Sequence, residues 1–374
     1  MQEIGYRLFL NDGPASQEET DRVEQIVVEQ EVDMAWEARL DIPIGADEQG
    51  LWSSEDEVFA QPFNRVRIEV QVAGAAFVPL IDGPVVGSDA RMSGEPGQSM
   101  LTVRVQDDSV LLNRNDLVAV FEERSDDEIA VQLFGDAPEI AGFEVELTPA
   151  PPGGIPAVQV QRGTSMELLR RLARRQGYHA YVLPGEAPGQ SIGVFKPFTT
   201  RNDGLPDLIL LGEDRNLESF SVVEEALMPA SFTRASLGIA DKGVSDAASS
   251  FSDVELLGPE PAYADEGRTG KRLLLPGGDE SIDLTQSVTA AAALSTYAFE
   301  ATGEVMGDRY AGVLTPYRVV TCRGLNGRLS GDYLIKQVTH TLTRGTYGQS
   351  FTVMRNARSE GAGGGLGGLA GSIF

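Results

Sequence analysis

Residues Gly331 to Asn356, GDYLIKQVTHTLTRGTYGQSFTVMRN, constrain the fold more than any other stretch of the chain. In the first arm the β-formers Tyr333, Ile335, Val338, Thr339 and Leu342 are broken by polar residues. In the second, Tyr347, Phe351 and Val353 are separated by residues that can face water, and Arg344-Gly345-Thr346 supplies the turn between the two. The stretch reads as two paired strands.

The same pattern recurs upstream. Tyr6 to Leu10 is a short strand, and Val23 to Ile44 alternates as one or two long ones. Arg65 to Val72, RVRIEVQV, alternates strictly, as a strand does when one face meets a core and the other meets water. Phe77 to Ile81 and Leu101 to Val105 continue the sheet, with Asp82-Gly83-Pro84 as a turn and Gly94 to Gly97 as a loop. Residues 1–106 thus make a compact antiparallel unit, most simply a small barrel, whose edges partner subunits could also close.

From Val110 the pattern changes. Asn113 to Glu123 mixes apolar and charged residues, and Asp126 to Leu133 has helical spacing with acidic residues in its first turn, where they suit the helix dipole. The Pro and Gly cluster Thr148 to Ala157 is the clearest linker. Thr164-Ser165-Met166-Glu167 has capping-box spacing, Met166, Leu169, Leu172 and Ala173 form an apolar stripe, and Gly177 supplies a stop. Arg170, Arg171, Arg174 and Arg175 stand on the other face of that helix. They read as an intramolecular or intersubunit partner for carboxylates, which needs only proximity, rather than as a nucleic-acid patch. Tyr178 to Leu183, Ile192 to Phe195, Leu205 to Leu211, Leu217 to Val223 and Phe232 to Leu237 are further strands. Asp241 to Arg268 reads as an exposed insertion, Leu284 to Phe299 as an alanine-rich helix, and Val319 to Met354 returns to strands. The fold class is mainly β with α+β additions. With 374 residues the chain exceeds one core. It divides at 1–106, 107–204, 205–240 with 300–358, an insertion at 241–299, and a glycine-rich tail at 359–374.

Charge and chemistry narrow the function. The net charge is −26. Residues 1–60 hold 16 carboxylates and three arginines, a net of −13, so half of the excess lies in the first sixth of the chain. A surface this acidic argues against a protein that grips nucleic acid through its phosphates. The single cysteine, Cys322, excludes an internal disulfide and sits in an apolar run as a buried thiol. His179 and His340 have no neighbours at metal-ligand spacing and read as structural. No nucleophile elbow, phosphate loop or distinctive carboxylate pair appears, which favours a structural role with no cofactor. MQEIGYRLFLNDG resembles no signal peptide and no window is long enough to span a membrane, so the expectation is a protein made in the cytoplasm.

At Gly331 to Asn356 the chain resembles the baseplate hub proteins of contractile phage tails, the late control gene D family, which includes the N-terminal half of type VI secretion spike proteins. Ser330-Gly331, Tyr333, Ile335, Val338, His340, Tyr347, Arg355 and Asn356 match that family's closing strand pair in order. Leu314-Thr315-Pro316 with Val319 to Gly324, Gln161 to Leu183, and Asp82 to Val86 with Leu101 to Leu112 are similar to further family segments, so the likeness covers most of the chain.

The resemblance implies a homotrimeric ring in which each subunit gives two similar tube-type β-barrels, adapting a sixfold tail tube above to a threefold spike below. Residues 1–106 would be the first tube barrel, 107–204 an α+β middle domain, and 205–240 with 300–358 the second tube barrel. Glu24, Glu29, Glu31, Asp33, Glu37 and Asp41 would line the lumen and keep passing DNA or cargo from sticking. Gly361, Leu366, Leu369, Ile373 and Phe374 in the tail would reach a separate spike protein. Baseplate wedge or tape-measure proteins would be further partners, and the protein would reside in a virion tail baseplate. Two other readings stay open at this point. One is the hub of a type VI-like or extracellular injection system, and the other is a cell-wall-degrading or glycan-binding β-protein. Replacing His179 and His340 is expected to leave a hub's assembly nearly intact and to abolish a histidine-dependent enzyme.

Overall fold

In the computed structural model the described residues are 4–46, 48, 50–53, 58–95, 97–149, 158–237, 242–249, 251, 254–262, 268–275 and 284–359. Strands hold 46% of residues and helices 15%, a mainly β fold with α additions. Of the described residues, those within 4–197 and 337–349 form one compact unit and those within 198–275, 284–336 and 350–359 the other.

The first unit opens with β1 (Ile4–Leu10), β2 (Gly13–Pro14) and a short helix α1 (Gln17–Arg22), started by a capping box between Ser16 and Glu19. β3 (Gln25–Glu31), β4 (Glu37–Pro43), β5 (Arg65–Val72), β6 (Val78–Arg91) and β7 (Met100–Gln106) follow. Their order within the unit is residues 337–343, β3, β4, β7, β6, β5, β1, β2, with every named neighbour antiparallel. A cavity of about 600 Å³ is lined by Tyr6, Leu8 and Phe9 of β1, Thr20 and Asp21 of α1, and Arg344. Arg344 also donates to the Asp21 carbonyl. The two ends of the sheet therefore meet at α1, and the sheet is rolled.

Two sequence expectations change here. Asp82-Gly83-Pro84 is not a turn but the middle of the 14-residue β6, where the strand passes from β5 to β7. Gly83 permits the crossing because a Cβ there would lie 1.9 Å from the Gln106 carbonyl oxygen. The tip of the Gly331–Asn356 hairpin belongs to the first unit, with Gln337–Thr343 pairing β3. A change of burial pattern explains this. Tyr333, Leu334 and Ile335 are buried on both faces of the strand, whereas beyond Lys336-Gln337 only the even positions Val338, His340 and Leu342 are buried, so the strand passes from a doubly covered to a singly covered sheet.

A short helix α2 (Ser109–Leu112) leads to β8 (Leu117–Glu122), where no strand is expected from the mixed composition. α3 (Asp126–Gly135), β9 (Ile140–Val145), β10 (Val158–Gly163), α4 (Ser165–Gln176), β11 (His179–Pro184) and β12 (Ser191–Lys196) complete the unit. α4 has the Thr164/Glu167 capping box and ends at Gly177 with φ 73°, as its sequence predicts. Ile129, Leu133 and Phe134 of α3 pack with Met166, Leu169 and Leu172 of α4 over Val182 and Phe195. The β11–β12 turn is held to the first sheet by buried charges. Arg67, 2% exposed, donates to Asp82 (3.0 Å), Glu69 (2.7 Å) and the Glu186 and Ala187 carbonyls. The Gly189 amide also donates to Asp82, and the Ser191 hydroxyl to Asp108. Every charge here is paired, which such burial requires.

In the second unit, β13 (Leu208–Ile209) realises only the centre of the strand expected at Leu205–Leu211. β14 (Leu217–Glu224), β15 (Ala230–Leu237), β16 (Val244–Ala248), β17 (Glu260–Pro261), β18 (Gly270–Leu273), α5 (Leu284–Ser295), β19 (Phe299–Val305), β20 (Val319–Arg323), β21 (Gly331–Thr343), β22 (Thr346–Arg355) and β23 (Ala357–Arg358) follow. β14, β19, β22 and β21 run in that order, with β20 on β21 and β13 on β20. Phe220 packs against the Tyr333 and Phe351 rings at 5.7 and 6.2 Å. Arg355, 1% exposed, donates to the Ser330 carbonyl (3.0 Å) and lies over the Tyr333 ring, and the Asn356 side chain bonds the Leu257 amide and Glu255 carbonyl. That is the physical content of the Arg-Asn pair closing the hairpin.

Candidate functional site: the polar face of the first sheet

Alternation sends Ile26, Val28, Ala38, Leu40, Ile42, Leu101, Val103 and Val105 inward to the core. The residues between them share the opposite face. From residues 337–343 the face receives Gln337, Thr339, Thr341 and Thr343, and from β3 it receives Gln25, Val27, Glu29 and Glu31. Glu37, Arg39 and Asp41 come from β4, and Thr102, Arg104 and Gln106 from β7. The register sets Glu29 opposite Glu37 and Arg39 opposite Arg104.

The carboxylates on this face are bonded sideways. Arg39 donates to Glu29 (3.2 Å) and to Glu37 (3.1 Å), Gln106 to Glu37 (3.2 Å), and Thr102 to Asp41 (2.6 Å). Glu24 precedes β3 and is exposed, and a cavity of about 660 Å³ brings it beside Asp41, Met100 and the turn residues Arg344 and Gly345. Four of the six acidic residues singled out in the sequence, Glu29, Glu31, Glu37 and Asp41, stand on one face. Sequence reasoning missed Arg39, Arg104 and the threonine row that share it, although the phase of LTVRV and of VTHTLT carried the signal.

Asp33 is placed differently. It lies in the β3–β4 turn with φ 61° and accepts from His179 Nδ1 at 2.9 Å. Burial pushes its carboxyl up, but the His179 hydrogen bond and the charges of His179, Arg170 and Arg174 outweigh that and hold it below the usual range. On α4, Arg175 pairs with Asp126 (Nε to Oδ2 2.8 Å) and with Gln159 (3.0 Å), while Arg171 donates to the Val160 carbonyl. The tail residues Gly361, Leu366, Leu369, Ile373 and Phe374 lie outside the described residues.

Behind the face, His340 is fully buried between Tyr347 (Nδ1 to Oη 2.8 Å) and Gln30 (Nε2 to Oε1 3.1 Å), and Gln30 Nε2 donates to the Leu80 carbonyl. Gln30 Oε1 can only accept, so His340 Nε2 carries the proton and Nδ1 accepts from the tyrosine hydroxyl. Burial lowers the His340 pKa to about 3, so the ring is neutral in this network. Cys322 is fully buried on β20 and burial pushes its thiol up. Among the described residues no group of three or more His, Cys, Asp or Glu side chains is placed to hold a metal, and no helix is long and apolar enough to cross a membrane.

No protein-family model matches the sequence, and no curated protein matches it. Solved structures do match. The 43 kDa tail protein of prophage MuSo2 from Shewanella oneidensis aligns with TM-score 0.59 and 16% identity, over 94% of this chain and 98% of that one. A tail protein from Neisseria meningitidis MC58 aligns with TM-score 0.60 and 13% identity, over 94% and 96%. An Escherichia coli component of the type VI secretion system aligns with TM-score 0.55 and 11% identity, over 95% and 77%. The chain therefore has the fold of these two phage tail proteins and of a type VI secretion component.

Proposed function

We propose that the protein is a non-enzymatic hub of a contractile tail baseplate, a homotrimeric ring joining a tail tube to a central spike. The observation that carries this reading is the end-to-end likeness to two phage tail proteins, nearly complete in both chains. In this reading residues 1–106 with the hairpin tip 337–349 are the first tube barrel, 205–240 with 300–336 and 350–358 the second, 107–204 the middle domain and 241–299 the insertion. The ring is part of the virion tail, wedge or tape-measure proteins are further neighbours, and the tail after residue 359 reaches the spike.

The polar face of β3, β4, β7 and the hairpin tip lines the conduit. Its carboxylates are interleaved with Arg39 and Arg104, so the lining is a hydrogen-bonded lattice of mixed charge rather than a bare acidic wall. A passing polyanion finds no continuous basic stripe to grip. Arg175 of α4 pairs with Asp126 within the subunit, and Arg170 and Arg174 add their charge beside Asp33.

The hub of a secretion or extracellular injection system is the second reading, favoured by the likeness to the Escherichia coli component. The genes beside this one separate the two. The test of either hub is the solution mass by light scattering. A trimer near 120 kDa, three times the 40.1 kDa chain, is expected alone or on adding tube or spike protein. A stable monomer at micromolar concentration under all three conditions overturns the proposal.

A further inference from the structure

The ribbon of β8 and β10 carries a cluster of valines on its outer face, between Glu122 at one end and Arg162 at the other. Its inner face buries Phe121, Gln159 and Gln161, with Phe121 packed into the core of α3 and α4. A sheet covered on one side ordinarily shows polar residues on the other. Here Val118 is 83% exposed and Val120 56%, with Val158 and the half-buried Val160 beside them on the facing strand.

The two edges of the ribbon also differ. On β10 the Val160 carbonyl is capped by Arg171 and by the Gln159 side chain. On β8 no strand and no side chain among the described residues pairs with the free side. Six residues without Pro or Gly, with exposed valines and open backbone groups, are a template for strand addition.

Charge indicates what kind of strand fits. Asp116 at one end of β8, and Glu122 and Glu123 at the other, are exposed and have no ion-pair partner among the described residues. The arginines next to them are engaged elsewhere, Arg114 over the Phe63 ring at 5.5 Å and Arg124 on Gln132. Arg162 lies one strand back, on β10. A second copy of the chain fits poorly. Antiparallel self-pairing centred on Ala119 sets Asp116 opposite Glu122 at both ends, where like charges repel, and the registers centred on Val118 or Val120 set a valine opposite a carboxylate and draw on Arg114 or Arg124, which are engaged elsewhere.

We propose that β8 is a docking edge for an extended segment of a partner protein. The segment adds as a strand along Leu117–Glu122, lays alternate apolar side chains over Val118 and Val120, and brings Lys or Arg to Asp116, Glu122 and Glu123. The assignment is independent of the hub reading.

The test is fluorescence anisotropy on the full chain with two labelled nonapeptides, KTVTVTVKK and its counterpart with glutamate in place of each lysine. The basic peptide should bind, and the acidic one at least tenfold more weakly. Val118→Lys with Val120→Lys should weaken the basic peptide at least tenfold. These side chains are exposed, so an unchanged melting curve is expected and checks the fold. Reversing Asp116, Glu122 and Glu123 to lysine should invert the preference between the peptides. Failure of the basic peptide to bind, equal binding of both peptides, or binding indifferent to the valine changes overturns the proposal. Self-association that the valine changes abolish, without peptide binding, assigns the edge to a second copy and also overturns it.

Discussion

The buried His340 makes a pH dependence that one substitution should isolate. Its pKa is about 3 in the fold and about 6.5 in an unfolded chain, so below pH 6.5 the unfolded state takes up a proton that the folded state refuses. The contribution of this ring to stability is therefore complete above pH 6.5 and is lost as pH falls toward 3. At about 1.4 kcal/mol per pH unit, the loss is about 2 kcal/mol at pH 5 and about 3 kcal/mol at pH 4. Glutamine at this position keeps donor and acceptor groups but does not titrate. His340→Gln should cost about 1–2 kcal/mol at pH 8 through imperfect bonds to Gln30 and Tyr347. Urea unfolding of both proteins from pH 8 to pH 4, followed by the fluorescence of the buried Trp36, gives the difference in stability at each pH. Other titrating groups are common to both chains and cancel. A wild-type advantage that shrinks by about 2 kcal/mol from pH 8 to 5 is predicted, and a flat difference refutes the neutral, enclosed ring.

Asp107 should show the opposite sign. Its carboxylate accepts from the Trp36 and Ser109 amides, yet burial raises its pKa to about 6. Its stabilisation is thus complete below about pH 4 and lost as pH rises through 6, and the wild type should lose about 3 kcal/mol relative to Asp107→Asn between pH 4 and 7 in the same titration. Gly83→Ala drives a Cβ into the Gln106 carbonyl and should destabilise the first unit by about 3 kcal/mol or more, read as a lower urea midpoint. Arg355→Ala removes one donor from each of the Leu329, Ser330 and Leu257 carbonyls, the first two keeping the Tyr333 and Ser359 hydroxyls, and takes a buried side chain off the Tyr333 ring; it should cost about 3 kcal/mol, while Arg355→Lys recovers only part of it. Arg39→Ala, on the exposed face, should change stability by under about 1 kcal/mol, so any defect it causes in an assembled particle reports on the lining.

Local signals in the sequence translated well. The α4 capping box, its glycine stop and the turn at Arg344-Gly345 appear where residue chemistry puts them, because each depends on contacts only a few residues apart. The alternation in LTVRV likewise marked which residues face the core, but the polar face of RVRIEVQV, expected to meet water, is covered: Arg67 and Glu69 are buried, and Arg67 lies beneath the β11–β12 turn. What failed depended on distant partners. Gly83 reads as a turn beside Asp and Pro, yet its role is set by Gln106 pressing on it from β7. The pairing of residues 337–343 with β3 bridges some 300 residues, and no local pattern names the partner strand. Its trace is present nonetheless, in the change from the continuous apolar run at Tyr333–Ile335, buried on both faces, to the alternation of Val338, His340 and Leu342. The acidic excess of residues 1–60 was visible, but the arginines that divide it come from β4 and β7 and meet it only across the ladder.

Electron cryomicroscopy of the assembled ring, alone or with tube and spike proteins, tests the central claim most directly. The account predicts three copies around one axis, with Glu29, Glu37, Arg39 and Asp41 facing a central channel. A map with that face on the outer surface, or particles with no threefold axis, would contradict it.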